Sequence, residues 1–232
     1  GCCFCCCCYC CCLPSRHKTM AALLQNLQQL RECCRLVLAS SSPRRREILG
    51  ILGVPFEVIT PTFAEDLDKS QYTPAEYVMA NARIKCAEVA KQLASAEPKD
   101  GKVLVVIGAD TVVVRDQDIL EKPKDAADAF AMLRSLASRQ HLVMTGVAVS
   151  VAGREPTVVY EETAVRFAEL SDAELEAYIA TGEPFDKAGA YGIQAMGSLL
   201  VAGIEGDFHN VVGLPLAALA QVLATEMELL HL

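Results

Sequence analysis

Five apolar residues in a row, Val103-Leu104-Val105-Val106-Ile107, four of them β-branched, restrict the possible folds more than any other segment of this chain. A run so short and so uniformly apolar suits a strand buried on both faces of its sheet. Such a strand needs a packed layer on each side, and the flanking sequence supplies helices for it. Leu36 to Ala39 reads as a strand, Arg44 to Leu52 as a helix closed by Gly53, and Phe56 to Thr60 as another strand. Thr73-Pro74-Ala75-Glu76 joins a capping hydroxyl, an early proline and an early acid, which predicts a helix continuing to about Leu93. Residues 95–102 read as a polar loop. A further helix is expected near Ala126 to Leu136, then a hairpin of strands Leu142–Val151 and Thr157–Phe167 turning at Gly153 and Pro156. Ser171-Asp172-Ala173-Glu174 has the capping-box spacing of a helix ending near Gly182. Leu199 to Ile204 reads as a strand, and Pro215 to about Leu230 as a final helix. Strands alternating with helices, plus one hairpin, predict an α/β domain with a mixed central sheet flanked by helices. No linker separates independent domains, so any two lobes would share one core with a cleft between them.

The chain has 232 residues and a net charge of −8, which argues against non-specific binding to nucleic acid, since that requires a basic face. Nine of the twelve cysteines fall within Gly1 to Cys12, in a tract without metal-ligand spacing. Residues 1–19 are therefore expected to form a cysteine-rich extension outside the fold, and residues 20–232 a single domain, with a helical run from Ala21 to Cys34 near its start. The remaining Cys33, Cys34 and Cys86 are too few for a disulfide scaffold and suit a reducing, cytoplasmic compartment. No apolar run approaches the roughly 18 residues of a membrane span.

Chemistry concentrates at a few places. The strand ending at Ala39 leads into Ser40-Ser41-Ser42-Pro43-Arg44-Arg45-Arg46, where hydroxyls, the free N–H groups of a first helical turn and guanidinium groups suit a phosphate. An ordinary capped turn with solvated arginines is the plainer reading of the same residues. Gly108-Ala109-Asp110-Thr111 follows the buried run, and a carboxylate just past a strand end lies where open α/β sheets place ligand crevices. Asp110 could take a proton from water or bind a metal, or simply cap a turn. Taken singly, Lys122 and Lys187 read as surface lysines and Tyr191 as core. His17, His141, His209 and His231 show no metal-site spacing.

Together, these blocks form a pattern. Ser40-x-Ser42-Pro43-Arg44-Arg45, Gly108-Ala109-Asp110-Thr111, Glu121-Lys122-Pro123, His141 with Gly146-Val147, Asp186-Lys187-Ala188-Gly189-x-Tyr191-Gly192-Ile193-Gln194 and Asn210-Val211-Val212-Gly213-Leu214-Pro215 occur in that order. From about Arg35 to Leu223 the chain resembles the Maf family of house-cleaning nucleoside triphosphate pyrophosphatases. It is most similar to the branch acting on dTTP and UTP, including the Maf-like domain of an animal acetylserotonin methyltransferase-like protein. The resemblance implies an elongated, two-lobed α/β fold like that of the inosine triphosphate pyrophosphatases, with a central cleft and a homodimeric assembly. It implies hydrolysis of the α–β phosphoanhydride to nucleoside monophosphate and pyrophosphate, keeping aberrant nucleotides out of nucleic acid. By motif position Asp110 matches the catalytic proton acceptor. Arg44, Thr111 and Gln194 match positions that distinguish the dTTP/UTP branch, and Ser42, Arg45, Glu65, Lys85, Lys122, Asp186 and Lys187 match other polar positions of the site. Ala195 departs from the pattern, since many members carry glycine after the glutamine.

The chemistry such a reaction demands fits those residue types. A nucleoside triphosphate repels an anionic nucleophile, and Mg²⁺ or Mn²⁺ held by Asp110 and Glu65 would offset that charge and acidify a water. Arg44, Arg45, Lys85, Lys122 and Lys187 would hold the phosphates. Gln194 could pair with the N3–H and O4 of uracil or thymine, or, rotated, with cytosine, so CTP and modified pyrimidine nucleotides are candidate substrates. Two further readings remain at this point: a nucleotide-binding regulator of cell division, and a relative with another base preference, such as methylated GTP.

Overall fold

The computed structural model describes residues 27–94 and 101–230. After a helical stretch at 27–33 come β1 (Cys34–Ala39), α1 (Pro43–Gly50), β2 (Phe56–Ile59), α2 (Pro74–Ala94), β3 (Val103–Arg115) and β4 (Asp118–Leu120). The chain continues through α3 (Ala126–Leu136), β5 (Gln140–Val151), β6 (Thr157–Phe167), α4 (Asp172–Ala180), β7 (Val201–Glu205), α5 (Phe208–Val212) and α6 (Leu216–Leu229). Local chemistry sets the helix starts. Ser42 Oγ accepts from the Arg45 amide with Pro43 in the first turn, and Thr73 and Glu76 exchange side-chain-to-backbone bonds, as do Ser171 and Glu174.

All seven strands lie in one sheet of order β2-β1-β3-β5-β6-β7, with β4 also paired to β3. The β2–β1–β3 part is parallel and the β3–β5–β6–β7 part antiparallel, so the sheet is mixed as expected. Strand alternation sorts β3 between two layers. Val106 faces α2, where it packs with Ala82, Cys86 and Val89. Val105 and Ile107 face α1 and α6, meeting Ile48, Leu49, Leu219 and Leu223. Further along, Val113 joins a separate core with Leu133 and Leu136 of α3 and Leu175 of α4. One sheet therefore supports two lobes, and each such fully buried side chain contributes about 1.5–3 kcal/mol relative to exposure.

Several expectations need correction. Asp110 does not follow the end of its strand: β3 runs on to Arg115, because β5 pairs with it continuously from Val105 to Val114. What ends there is the neighbour. β1 pairs with β3 only as far as Gly108, and β4 pairs with it only from Val113, so residues 109–112 have a strand on one side only. The crevice opens at that gap. The helical run placed up to Cys34 stops at 33, where pairing with Val103 draws Cys34 into β1. The strand expected from Leu199 begins at Val201 after a 3-10 turn at Met196–Leu200. Strand β4 and helix α5 were not anticipated. The expected extension at 1–19, and most of the loop at 95–102, lie outside the described residues.

Candidate active site

A cleft of about 650 Å³ opens between the lobes. Ser42, Arg44, Arg45, Glu65, Lys85, Asp110, Thr111, Lys122, Asp186, Lys187 and Gln194, drawn from six stretches of chain, all line it. Its floor is the edge of β3 left unpaired between β1 and β4. Alternation there sends Asp110 toward α2 and Thr111 toward α1, so the cleft reaches both faces of the sheet.

Asp110 and Lys85 are both buried, and Lys85 Nζ donates to Asp110 Oδ1 at 2.7 Å. The same ammonium lies 2.8 Å from Glu65 Oε1. A buried lysine is tolerable only with such compensation. Glu65 has a left-handed backbone, φ +55°, a conformation that side-chain-bearing residues adopt at a penalty of roughly 1–3 kcal/mol and that clusters at functional sites. Partial burial pushes the Glu65 carboxyl up, but the bond from Lys85 and the charges of Lys85, Lys122 and Arg45 bring it below its ordinary value.

On the opposite face, Arg45 is held by three protein oxygens. Nε donates to the Gly213 carbonyl at 2.7 Å, Nη2 to Thr111 Oγ1 at 2.9 Å and Nη1 to Ser40 Oγ at 3.4 Å. Burial lowers its pKa, countered chiefly by Asp110 and Glu65. Arg44 instead reaches across the cleft mouth, donating to Asp186 Oδ2 at 2.7 Å and to the Asp186 carbonyl at 3.2 Å. Lys187 Nζ pairs with the other Asp186 oxygen at 2.6 Å. Burial raises the Asp186 carboxyl, and Lys187 and Arg44 together hold it below the usual range. Lys122 adds positive charge beside Glu65, and the exposed Gln194 carboxamide makes no hydrogen bond to a described residue.

Three features escaped the sequence reading. Buried Asn81 donates Nδ2 to Asp110 Oδ2 at 3.0 Å, giving the acid a second fixed donor, while its own Oδ1 has no partner among the described residues. Tyr77, one turn earlier, donates to Glu121 at 2.8 Å, and Glu121 pairs with Lys69 at 2.6 Å. Thr145 lies 3.0 Å from Thr111 and donates to the Asn210 carbonyl at 3.2 Å, tying α5 to the cleft floor. A signal existed for the first two: Tyr77, Asn81 and Lys85 recur at intervals of four, a polar stripe on a helix face that also buries Val78, Ala82 and Cys86.

Among the described residues no group of three or more His, Cys, Asp or Glu side chains converges as a metal centre. The Asp110–Glu65 pair nonetheless fits a hard cation that takes most of its oxygens from water and phosphates. Lys85 engages one oxygen of each, and Glu65 Oε2 and Asp110 Oδ2 retain acceptor capacity.

A sequence model of the family described as Maf-like protein matches residues 35–226. A Vibrio cholerae protein named dTTP/UTP pyrophosphatase is 50% identical over 189 residues, covering 82% of this chain and 96% of its own. A Moorella thermoacetica protein of the same name is 50% identical over 191 residues, covering 82% and 94%. A human protein, named probable bifunctional dTTP/UTP pyrophosphatase/methyltransferase protein, is 48% identical over 190 residues, which are 78% of this chain and 30% of that one. Among solved structures, the Staphylococcus aureus Ham1 protein aligns with 83% of this chain and 99% of its own at 17% identity and a TM-score of 0.45, a likeness too distant to bear on the site.

Proposed function

This chain belongs to the Maf-like family, and from that membership and the cleft we propose that it hydrolyses dTTP and UTP to the nucleoside monophosphate and pyrophosphate. The observation that carries this reading is the buried Asp110, fixed by Lys85 and Asn81, facing a cleft rich in arginine and lysine.

Asp110 accepts a proton from the attacking water, whose oxygen bonds to the α-phosphorus as the bond to the bridging α–β oxygen breaks. The departing pyrophosphate carries the electron pair of that bond. Lys85 and Asn81 keep the carboxylate aimed, and each of its oxygens retains a further acceptor lone pair. Arg44, Lys122 and Lys187 bind the phosphates, and Arg45, already braced by Gly213, Thr111 and Ser40, offers its remaining N–H groups as preorganised donors. Asp110 and Glu65 would hold a divalent cation, Mg²⁺ or Mn²⁺, which would supply neutralisation of phosphate charge and a more acidic water. Ser42 opens the helix whose first-turn amides face the same anion.

Gln194 reads the base edge. Among the described residues its carboxamide has no partner to fix which end faces the substrate, so uracil and thymine are read with one orientation and cytosine with the other, and CTP is turned over as well. The thymine methyl needs only apolar space, so dTTP and UTP differ by about 1–3 kcal/mol at most. We further propose a homodimeric, cytoplasmic enzyme that removes modified pyrimidine nucleotides. A panel of nucleoside triphosphates assayed for pyrophosphate release, with and without EDTA, tests the proposal. Tight binding of dTTP without release of product would overturn it in favour of a regulator.

A further inference from the structure

The segment from Gly182 to Gly197 carries Asp186, Lys187 and Gln194 into the cleft but contains only 3-10 turns. Glu183, which does not itself line the cleft, holds its two ends together. Its Oε2 accepts from the Met196 amide at 3.0 Å and its Oε1 from the Gly197 amide at 3.1 Å. Tyr178 of α4 enters the same knot. The hydroxyl donates to Glu183 Oε1 at 3.1 Å and accepts from the Gly192 amide at 3.3 Å. The packing is tight: a Cβ on Gly197 would lie 2.5 Å from the Gly192 carbonyl and 2.8 Å from the Tyr178 hydroxyl. Gln194 therefore sits between two anchored points, Gly192 and Met196, while its own carboxamide bonds to no described residue.

We propose that Glu183, assisted by Tyr178, is a positioning residue for base recognition, setting where the Gln194 carboxamide meets the pyrimidine edge without touching substrate. The inference rests on the reading of Gln194 given above. A carboxylate suits the task because both of its oxygens accept, and bonds to a charged acceptor are about twice as strong as neutral ones. An amide in the same place presents an NH₂ to one of the two backbone donors, so one anchor is lost and the loop tip swings. The Glu183 carbonyl, which receives Lys187 Nζ at 2.7 Å, is unaffected by a side-chain change, so the phosphate-binding lysine stays where it is.

The test compares dTTP with a deoxyribose triphosphate lacking the base, on wild type, Glu183→Gln and Tyr178→Phe. Glu183→Gln should lower kcat/KM for dTTP by roughly tenfold or more, mainly through KM, and leave the base-free triphosphate within about twofold of wild type. Tyr178→Phe should act in the same direction with smaller effect. In a Gln194→Ala background, Glu183→Gln should add little further loss on dTTP. Equal losses on both substrates, or no loss on dTTP, would overturn the positioning role, and Tyr178→Phe decides by the same comparison should Glu183→Gln fail to fold. Wild type that releases no pyrophosphate from dTTP would overturn the underlying reading instead.

Discussion

Substituting Gly108 with alanine should damage the site without touching any residue in it. A Cβ at that position would stand 2.5 Å from the Ala82 carbonyl oxygen and 2.8 Å from the Cys86 amide and Cβ, where ordinary contact begins near 3.4 Å. The obstacle is the backbone of α2, which cannot swing aside as a flexible side chain would, so the helix must withdraw from β3 by roughly 1 Å. The Asn81–Asp110 bond, now 3.0 Å, would then lengthen to about 4 Å, beyond hydrogen-bonding range. Lys85, on its longer stem, can follow the acid. Overpacking of this kind costs about 1–3 kcal/mol, and in a domain of this size each kcal/mol lowers Tm by roughly 2–4 °C. A displacement near 1 Å at a reacting group lowers turnover on the order of 10²-fold. Thermal denaturation and steady-state pyrophosphate release measure the two effects. Gly50→Ala is the control: the added Cβ meets nothing within 4 Å at the end of α1, and the variant should be as stable as wild type or slightly more so. Wild-type Tm and kcat in Gly108→Ala would refute the argument that this close approach holds the acid in place.

Asp110→Asn should reduce kcat by about 10²–10⁴-fold, and near-normal turnover would remove Asp110 from the role of base. Gln194→Ala should raise KM for dTTP more than for a purine triphosphate, and equal changes in a steady-state comparison would show that the base edge is read elsewhere. His141, buried against Phe167 and bonded to the Tyr191 hydroxyl at 2.8 Å, has its pKa pulled down to about 4 by burial. Folding thus favours the neutral ring, so this contribution is present above pH 6.5 and is lost as pH falls toward 4, by about 3 kcal/mol at most. Denaturant titrations over that range should show the loss in wild type, and a slope unchanged in His141→Gln would assign it to other groups.

Much of the architecture was legible in sequence because it rests on short-range physics. Capping pairs such as Thr73 with Glu76 and Ser171 with Glu174 lie three residues apart and act within one turn. The apolar run at 103–107 declares a doubly covered strand wherever it sits, and motif order, with the family resemblance for Glu65 and Lys85, collected eleven residues that line one cleft. What those residues do to one another could not be read that way. Lys85 meets Asp110 across 25 residues and Arg45 meets Gly213 across 168, partnerships that exist only once helices have packed on the sheet. The same limit hid the length of β3, since pairing with β5, not local propensity, carries it past Asp110. Gly108 shows the division most plainly. In sequence a glycine there permits a close backbone approach, and only the fold shows what approaches: at this extended position the missing Cβ lets a helix backbone touch the strand. Sequence thus determined most of the elements and most of the chemical roster. Packing between distant segments decided which charges are braced, which are free, and where the gap between strands opens the site.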